Sequence, residues 1–253
     1  MIVKLNGVKK SFPIERGYLK TASGVVNAVD GVSLEIEKAE TFGLVGESGC
    51  GKTTLGKLIL GILKPDAGSI EVGTKKIQVI FQDPQASLDP KMRVYDIVAE
   101  GLVLQSSAVR RGGLNLPYGK IAKGQVEEML DLVKLPKGAL NKYPHQFSGG
   151  ERQRIAIARA VLTDPEFIVC DEPVSSLDVT VQLQILRLLK DVQKKFSITY
   201  LFISHDLRVV RFMSDRIAVM KEGKIVEEGP TQKIYSKPDH DYTKLLLDSI
   251  LNI

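Results

Sequence analysis

The chain has 253 residues with 35 Lys+Arg against 30 Asp+Glu, a formal net charge of +5, 43% apolar and 26% charged residues. That length permits one large α/β domain or two small ones, and the balance excludes a disordered, collagenous or disulfide-stapled chain. The excess of positive charge suits anionic ligands or a membrane surface, while the short basic runs read as solvated faces rather than a nucleic-acid stripe.

In chain order, "IVKLNGVKKSF" (2–12) alternates loosely and reads as an edge strand. "VVNAVDGVSLEIE" (25–37) reads as two strands around an Asp30-Gly31 turn. "TFGLVG" is a short apolar strand ending in glycine, and "KTTLGKLILGIL" (52–63) has helical periodicity. "KPDAGSIEV" leads by a turn into a strand, and "IQVIFQ" (77–82) is another apolar strand. Val94 to Leu162 is mostly helical, interrupted by a Gly-rich patch at 106–120 that reads as a loop. "FIVC" (167–170) and "ITYLFIS" (198–204) are buried strands, "TVQLQILRLLKDVQKKF" (180–196) is an amphipathic helix, and another helix starts at Asp206. "IAVMKEGKIVEEG" (217–229) is a hairpin turning at Glu222-Gly223. Strands alternating with crossover helices predict an α/β fold with a mostly parallel central sheet. An antiparallel β-subdomain precedes it, a helical subdomain is inserted at about 84–162, and 231–253 form a short helical tail; no internal repeat is visible.

Cys50 and Cys170 lie far apart, outside any Cys/His cluster, so no zinc or iron–sulfur site and a reducing compartment are expected. "MIVKLNGVKKSF" lacks the apolar core of a signal peptide, and no run reaches the about 18 apolar residues of a membrane span.

"GESGCGKT" (46–53) fits GxxxxGK[ST] between a strand and a helix. Gly46, Ser48, Gly49, Cys50 and Gly51 would turn backbone N–H groups inward around phosphate oxygens. Lys52 would reach the β- and γ-phosphates, Thr53 would hold Mg²⁺, and Thr54 continues the helix N-terminus, whose dipole favours anions. Cys50 reads as loop filler rather than a nucleophile; the helix dipole would lower its pKa, so that a thiol reagent would block nucleotide binding. "FIVCDEP" (167–173) ends a strand in two acids, Asp171 placed for Mg²⁺ and Glu172 for polarising a water. These motifs describe a P-loop NTPase and leave transport ATPase, GTPase and kinase open.

The pair Gly149-Gly150 in "FSGGERQRIAIARA" (147–160) separates them. Here the chain resembles the ATP-binding cassette family over nearly its whole length. "FSGGE" is similar to the family's signature loop, "FQDP" carries Gln82 at the Q-loop position, and "SSLD" (175–178) matches the D-loop. "ISHD" supplies His205 as the switch histidine, and Phe12 matches the adenine-stacking aromatic, with Tyr18 a competing candidate. The resemblance implies two cassettes paired head to tail around two ATP molecules. Ser148, Gly149, Gly150 and Glu151 of one subunit would face the P-loop of the other, and Asp178 would contact the partner. Glu172 would be general base, His205 would contact the γ-phosphate, and Gln82 would sense Mg²⁺ and the attacking water. Glu151 replaces the family's usual glutamine.

"FQDPQASLDP", "YPHQFSGGERQRIAIARA", "DEPVSSLDVTVQLQIL" and the tail "HDYTKLLLDSI" (240–250) resemble the peptide and nickel importer branch. That implies an ATPase subunit peripheral to the cytoplasmic face of the membrane. Its partners would be permease subunits, a second ATPase subunit in a homo- or heterodimer, and indirectly a solute-binding protein, with no nucleic acid. The alternative is a soluble ATPase accessory to a phosphonate-cleaving assembly. The stretch 52–82 is shorter than in most relatives, so a trimmed β-subdomain is expected, and without the Cys-bearing extension of some relatives no iron–sulfur cluster is expected.

Overall fold

A computed structural model describes residues 1–16, 21–109 and 121–251. These fall into two compact units, Met1–Ile77 with Ile198–Ile253, and Gln78–Ser197.

The first unit opens with β1 (Val3–Arg16) and β2 (Thr21–Ile36), joined by β4 (Ala67–Val72) in an antiparallel sheet of order β2-β1-β4. Alternation along β2 buries Val32, Leu34 and Ile36 and exposes the residues between, as one covered face requires. β1 is therefore the central strand rather than an edge, because β4 returns to pair with it (Val3↔Val72, Leu5↔Ile70). Nor does the chain turn at Asp30-Gly31. Val8 pairs with Val32 and Lys9 with Asp30, leaving Gly31 as the extra residue of a bulge with φ 72°. A left-handed glycine marks a bulge and a turn equally well in sequence.

The same unit contains β3 (Thr41–Val45), β7 (Thr199–Ser204), β8 (Arg216–Lys221) and β9 (Lys224–Pro230), in the order β7-β3-β8-β9. β3 runs parallel to β7 and β8, and both β3 and β7 are buried along their length, which explains their uninterrupted apolar sequences. β8 and β9 form the expected hairpin, Lys221 opposite Lys224, with Glu222 (φ 48°) and Gly223 (φ 81°) both left-handed, as a two-residue turn between twisted strands demands. Helices α1 (Lys52–Ile59), α7 (Leu207–Met213), α8 (Thr231–Ser236) and α9 (Asp241–Leu251) complete it.

The second unit holds the paired strands β5 (Ile77–Ile80) and β6 (Phe167–Asp171) and the helices α2 (Pro84–Ser87), α3 (Val94–Val109), α4 (Ile121–Leu132), α5 (Gly149–Val161) and α6 (Val179–Phe196). α3 runs to Val109, so 106–109, read as loop from composition, are helical; 110–120 lie outside the described residues. In α6, Ile185, Leu186, Leu188, Leu189 and Val192 form the buried stripe, with Lys194 and Lys195 in the last turn and Ser197 closing the helix in left-handed geometry. Three arginines of α5 tie this unit together. Arg152 donates to Pro144 O (2.9 Å) and Gln85 Oε1 (2.8 Å), Arg154 to Val133 O (3.0 Å) and Gln184 Oε1 (3.1 Å), and Arg159 to Ser87 O (2.7 Å).

Candidate functional site

Parallel register places the first group of predicted residues. Val45 pairs with both Ser204 and Val219, so the loops that follow β3 and β7 leave the sheet at one edge. They carry Gly46–Thr53 and His205. Together they line a cavity of about 250 Å³ whose walls are Gly46, Glu47, Ser48, His205, Leu207 and Leu246.

The loop needs glycine at two crowded positions. At Gly46 (φ 153°) a Cβ would lie 2.1 Å from Met220 O, and at Gly51 (φ 112°) it would lie 2.0 Å from Ala28 O. Gly51 is also the N-cap of α1 and supplies no side-chain hydrogen bond. No side chain at the N-cap therefore competes for the start of α1, where the positive end of the helix dipole favours anions. Lys52 is 5% exposed, and its ammonium donates to Gly46 O (2.7 Å) and Glu47 O (2.8 Å), lashing the loop across its mouth. Cys50 lies behind it, Sγ 3.7 Å from Lys52 Nζ. Burial raises the Cys50 thiol pKa, outweighing the opposing lysine charge. On the far side of the loop, Gly223 donates to Cys50 O (2.9 Å) and its own carbonyl accepts from Asp30 N (2.8 Å). Thr53 is exposed and Thr54 half-buried in the first turn of α1.

His205 is exposed at the end of β7, next to Asp206, which caps α7 through Arg208 N (2.8 Å). Phe12 sits on β1 opposite Val26, 38% exposed beside the 50% exposed valine, and Lys10 Nζ lies 5.7 Å from its ring centroid. An open aromatic face flanked by apolar surface is suited to stacking a base. Tyr18 lies outside the described residues.

The second unit carries the remaining predicted residues. β6 delivers Asp171, half-buried, in extended geometry, and the chain then reverses at Glu172 with φ 49°. A left-handed non-glycine residue costs about 1 kcal/mol. It is held here by Ser175, whose N (3.3 Å) and Oγ (3.2 Å) both donate to Glu172 O. Cys170 just before Asp171 is fully buried, its thiol pKa pushed up by burial and then by the Asp171 charge.

Ser148 is the N-cap of α5. Its Oγ accepts from Glu151 N (3.3 Å), while Glu151 Oε2 accepts from Ser148 N (2.8 Å) and Ser148 Oγ (2.9 Å), a reciprocal capping box. These two hydrogen bonds hold the Glu151 carboxyl below its ordinary pKa. Gly149 is exposed, 3.3 Å from Leu177 Cδ2 by its absent Cβ; Gly150 is buried, and a Cβ there would lie 2.4 Å from Val181 Cγ1. Asp178, the N-cap of α6, accepts from Val181 N (3.0 Å), so the Ser148 loop and the Asp178 turn meet. Gln82 is exposed between β5 and α2, and Asp83 caps α2 through Gln85 N (2.8 Å).

The donors of Thr53, Gln82 and Asp171 are hydroxyl, amide and carboxylate oxygens, a hard set suited to Mg²⁺. Among the described residues, no three His, Cys, Asp or Glu side chains group as a metal site. Sequence reading passed over Gly223, Tyr242 and Arg152. Gly223 was visible only as a turn residue and Tyr242 only as part of the tail "HDYT".

Comparison with known proteins agrees with this architecture. The profile of the family described as ABC transporter matches residues 29–175. The oligopeptide transport ATP-binding protein OppF of Bacillus subtilis is 47% identical, over 91% of this chain and 78% of that protein. The protein of the same name from Lactococcus lactis subsp. lactis is 46% identical, over 100% of this chain and 81% of its own length. Among solved structures, the dimeric post-hydrolysis state of the ATP-binding cassette MJ0796, bound to ADP and Pi, is similar with TM-score 0.75 and 27% identity, over 91% of this chain and 99% of that one. CbiO1 from Clostridium perfringens, part of the ABC transporter complex cbiONQ, is similar with TM-score 0.75 and 26% identity, over 100% of this chain and 99% of that one. With its order of motifs, its fold and this similarity in agreement, the chain belongs to the ABC transporter family and has the fold of its ATP-binding cassettes.

Proposed function

We propose that this chain is the ATP-hydrolysing subunit of a peptide importer, energising a separate membrane permease. The observation that carries the reading is the loop Gly46–Thr53, lashed by Lys52 onto an uncapped helix, in a chain 47% identical to an oligopeptide transport ATP-binding protein. Loop N–H groups, Lys52 and the α1 N-terminus take the ATP phosphates, and Phe12 stacks the adenine. Thr53, Gln82 and Asp171 would hold Mg²⁺, which would neutralise phosphate charge. Glu172 accepts the proton of the attacking water, and His205 hydrogen-bonds the γ-phosphate. Ser148, Gly149, Gly150 and Glu151 act on the ATP of a second cassette, and Asp178 meets that cassette across the interface.

Among the described residues no helix is long and apolar enough to cross a membrane, which fits a subunit held peripherally at the cytoplasmic face by its permease. Nickel import by the same branch remains the neighbouring substrate class. The names of the relatives give no support to an accessory role in phosphonate cleavage.

The test is Glu172→Gln in a purified complex with the permease subunits. The expected result is loss of at least about 100-fold in ATP turnover with ATP binding retained. Turnover at the unaltered rate would remove Glu172 from the role of base.

A further inference from the structure

The C-terminal helix touches the phosphate loop, and nothing in the proposed chemistry uses that contact. Tyr242, in the first turn of α9, is 6% exposed. Its hydroxyl oxygen lies 3.3 Å from Glu47 N and accepts that N–H. Lys52 holds the carbonyl of the same residue. The second residue of the loop is thus gripped at both its backbone groups, from the tail on one side and from the loop's own lysine on the other. One turn further along α9, Leu246 forms part of the wall of the cavity that also contains Gly46, Ser48 and His205.

The helix is itself fixed from several directions. Glu227 on β9 accepts from Asp239 N (2.8 Å) and His240 N (3.1 Å), and His240 Nδ1 accepts from Tyr242 N (3.1 Å). Lys221, at the end of β8, places its ammonium 4.8 Å from the Tyr242 ring centroid. The next two residues are the hairpin tip that donates to Cys50 O. The Tyr235 hydroxyl donates to Leu207 O, fastening α8 to another wall of the cavity.

We infer that Tyr242 is a positioning residue for the phosphate loop, so that docking of the tail helix sets the affinity for nucleotide. The inference rests on the reading of Gly46–Thr53 as the nucleotide's phosphate site. Removing the hydroxyl takes the acceptor from the part-buried Glu47 N–H, and the loop would shift to satisfy that group elsewhere. A loop whose N–H groups no longer converge binds phosphate more weakly.

Tyr242→Phe removes only the hydroxyl and leaves the ring beneath Lys221. Dissociation constants for ATP are measured by titration calorimetry on the full chain, and KM and kcat for ATP on its complex with the permease subunits. The expected result is an affinity three- to tenfold weaker, by the usual net contribution of one hydrogen bond, and a KM raised in proportion. kcat should stay within about twofold, because the reacting groups are untouched. Hydrogen–deuterium exchange should show faster exchange of the Glu47 amide in the variant. Leu245→Ala, on the same helix but 68% exposed, should leave both readouts unchanged. Unaltered ATP affinity in Tyr242→Phe, or unaltered protection of the Glu47 amide, would overturn the inference while leaving the ATPase reading intact. Failure of the wild-type chain to bind ATP would overturn the phosphate-loop reading itself, and this inference with it.

Discussion

Glu151 stands where the family usually carries glutamine, a replacement that adds a negative charge. The structure gives it a local partner, since its carboxylate closes the capping box of α5 through Ser148 N and Oγ. Because these bonds lower its pKa, the box stabilises the fold above the unfolded carboxyl value of 4.5 and loses that contribution as pH falls through the lower folded value. Glu151→Gln keeps an acceptor oxygen, so it should cost less than about 0.5 kcal/mol at pH 7. It should also reduce the loss of stability between pH 5 and 3, a range where about one titrating carboxylate is removed. Ser148→Ala should cost about 1 kcal/mol at pH 7. Urea denaturation across that pH range measures all three. Glu172 shows the opposite relation between residue and backbone, since its left-handed geometry is unfavourable locally and is sustained by Ser175.

At the scale of elements, the glycine pair of the Ser148 loop has two distinct reasons. Gly149 is exposed at the start of α5, whereas Gly150 lets α5 approach α6 at Val181. Valine is stiff at χ1, so a Cβ 2.4 Å from its Cγ1 cannot be accommodated by a rotamer change alone. Gly150→Ala should therefore destabilise by about 1–3 kcal/mol despite alanine's higher helix propensity, and Gly150→Ala with Val181→Ala should recover most of it. Equal losses in the single and double variants, by chemical denaturation, would exclude this packing explanation. The helices were legible in advance wherever periodicity was strong and caps were present, as in α6 with Asp178 and Ser197. The strands were less so. β1 is central only because β4 pairs with it, and β2 passes through Asp30-Gly31 because β1 offers register partners on both sides of the bulge. Neither fact is contained in the strand's own residues.

For the molecule as a whole, the proposed arrangement divides each ATP site between two copies, the phosphate loop of one and the Ser148 loop of the other. Ser148→Arg puts a long cation into the second half alone. It should abolish hydrolysis in the transporter complex while leaving ATP affinity of the single chain within about twofold, since the phosphate loop itself is unaltered. Calorimetric titration of the single chain checks the second part. Loss of binding there would contradict the division. By itself the sequence determined the chemistry on offer. Gly46–Thr53, Asp171-Glu172, Ser148–Gly150 and His205 are short-range patterns, each set by spacing along a few consecutive residues, and their order identified the family. Tertiary structure alone decided which of these share a cavity and what braces them. Tyr242 meets Glu47 across 195 positions of chain, and Gly223 meets Cys50 through a hairpin tip. Such contacts depend on strand order and register, which arise from pairing between distant segments and leave no periodic mark in either one.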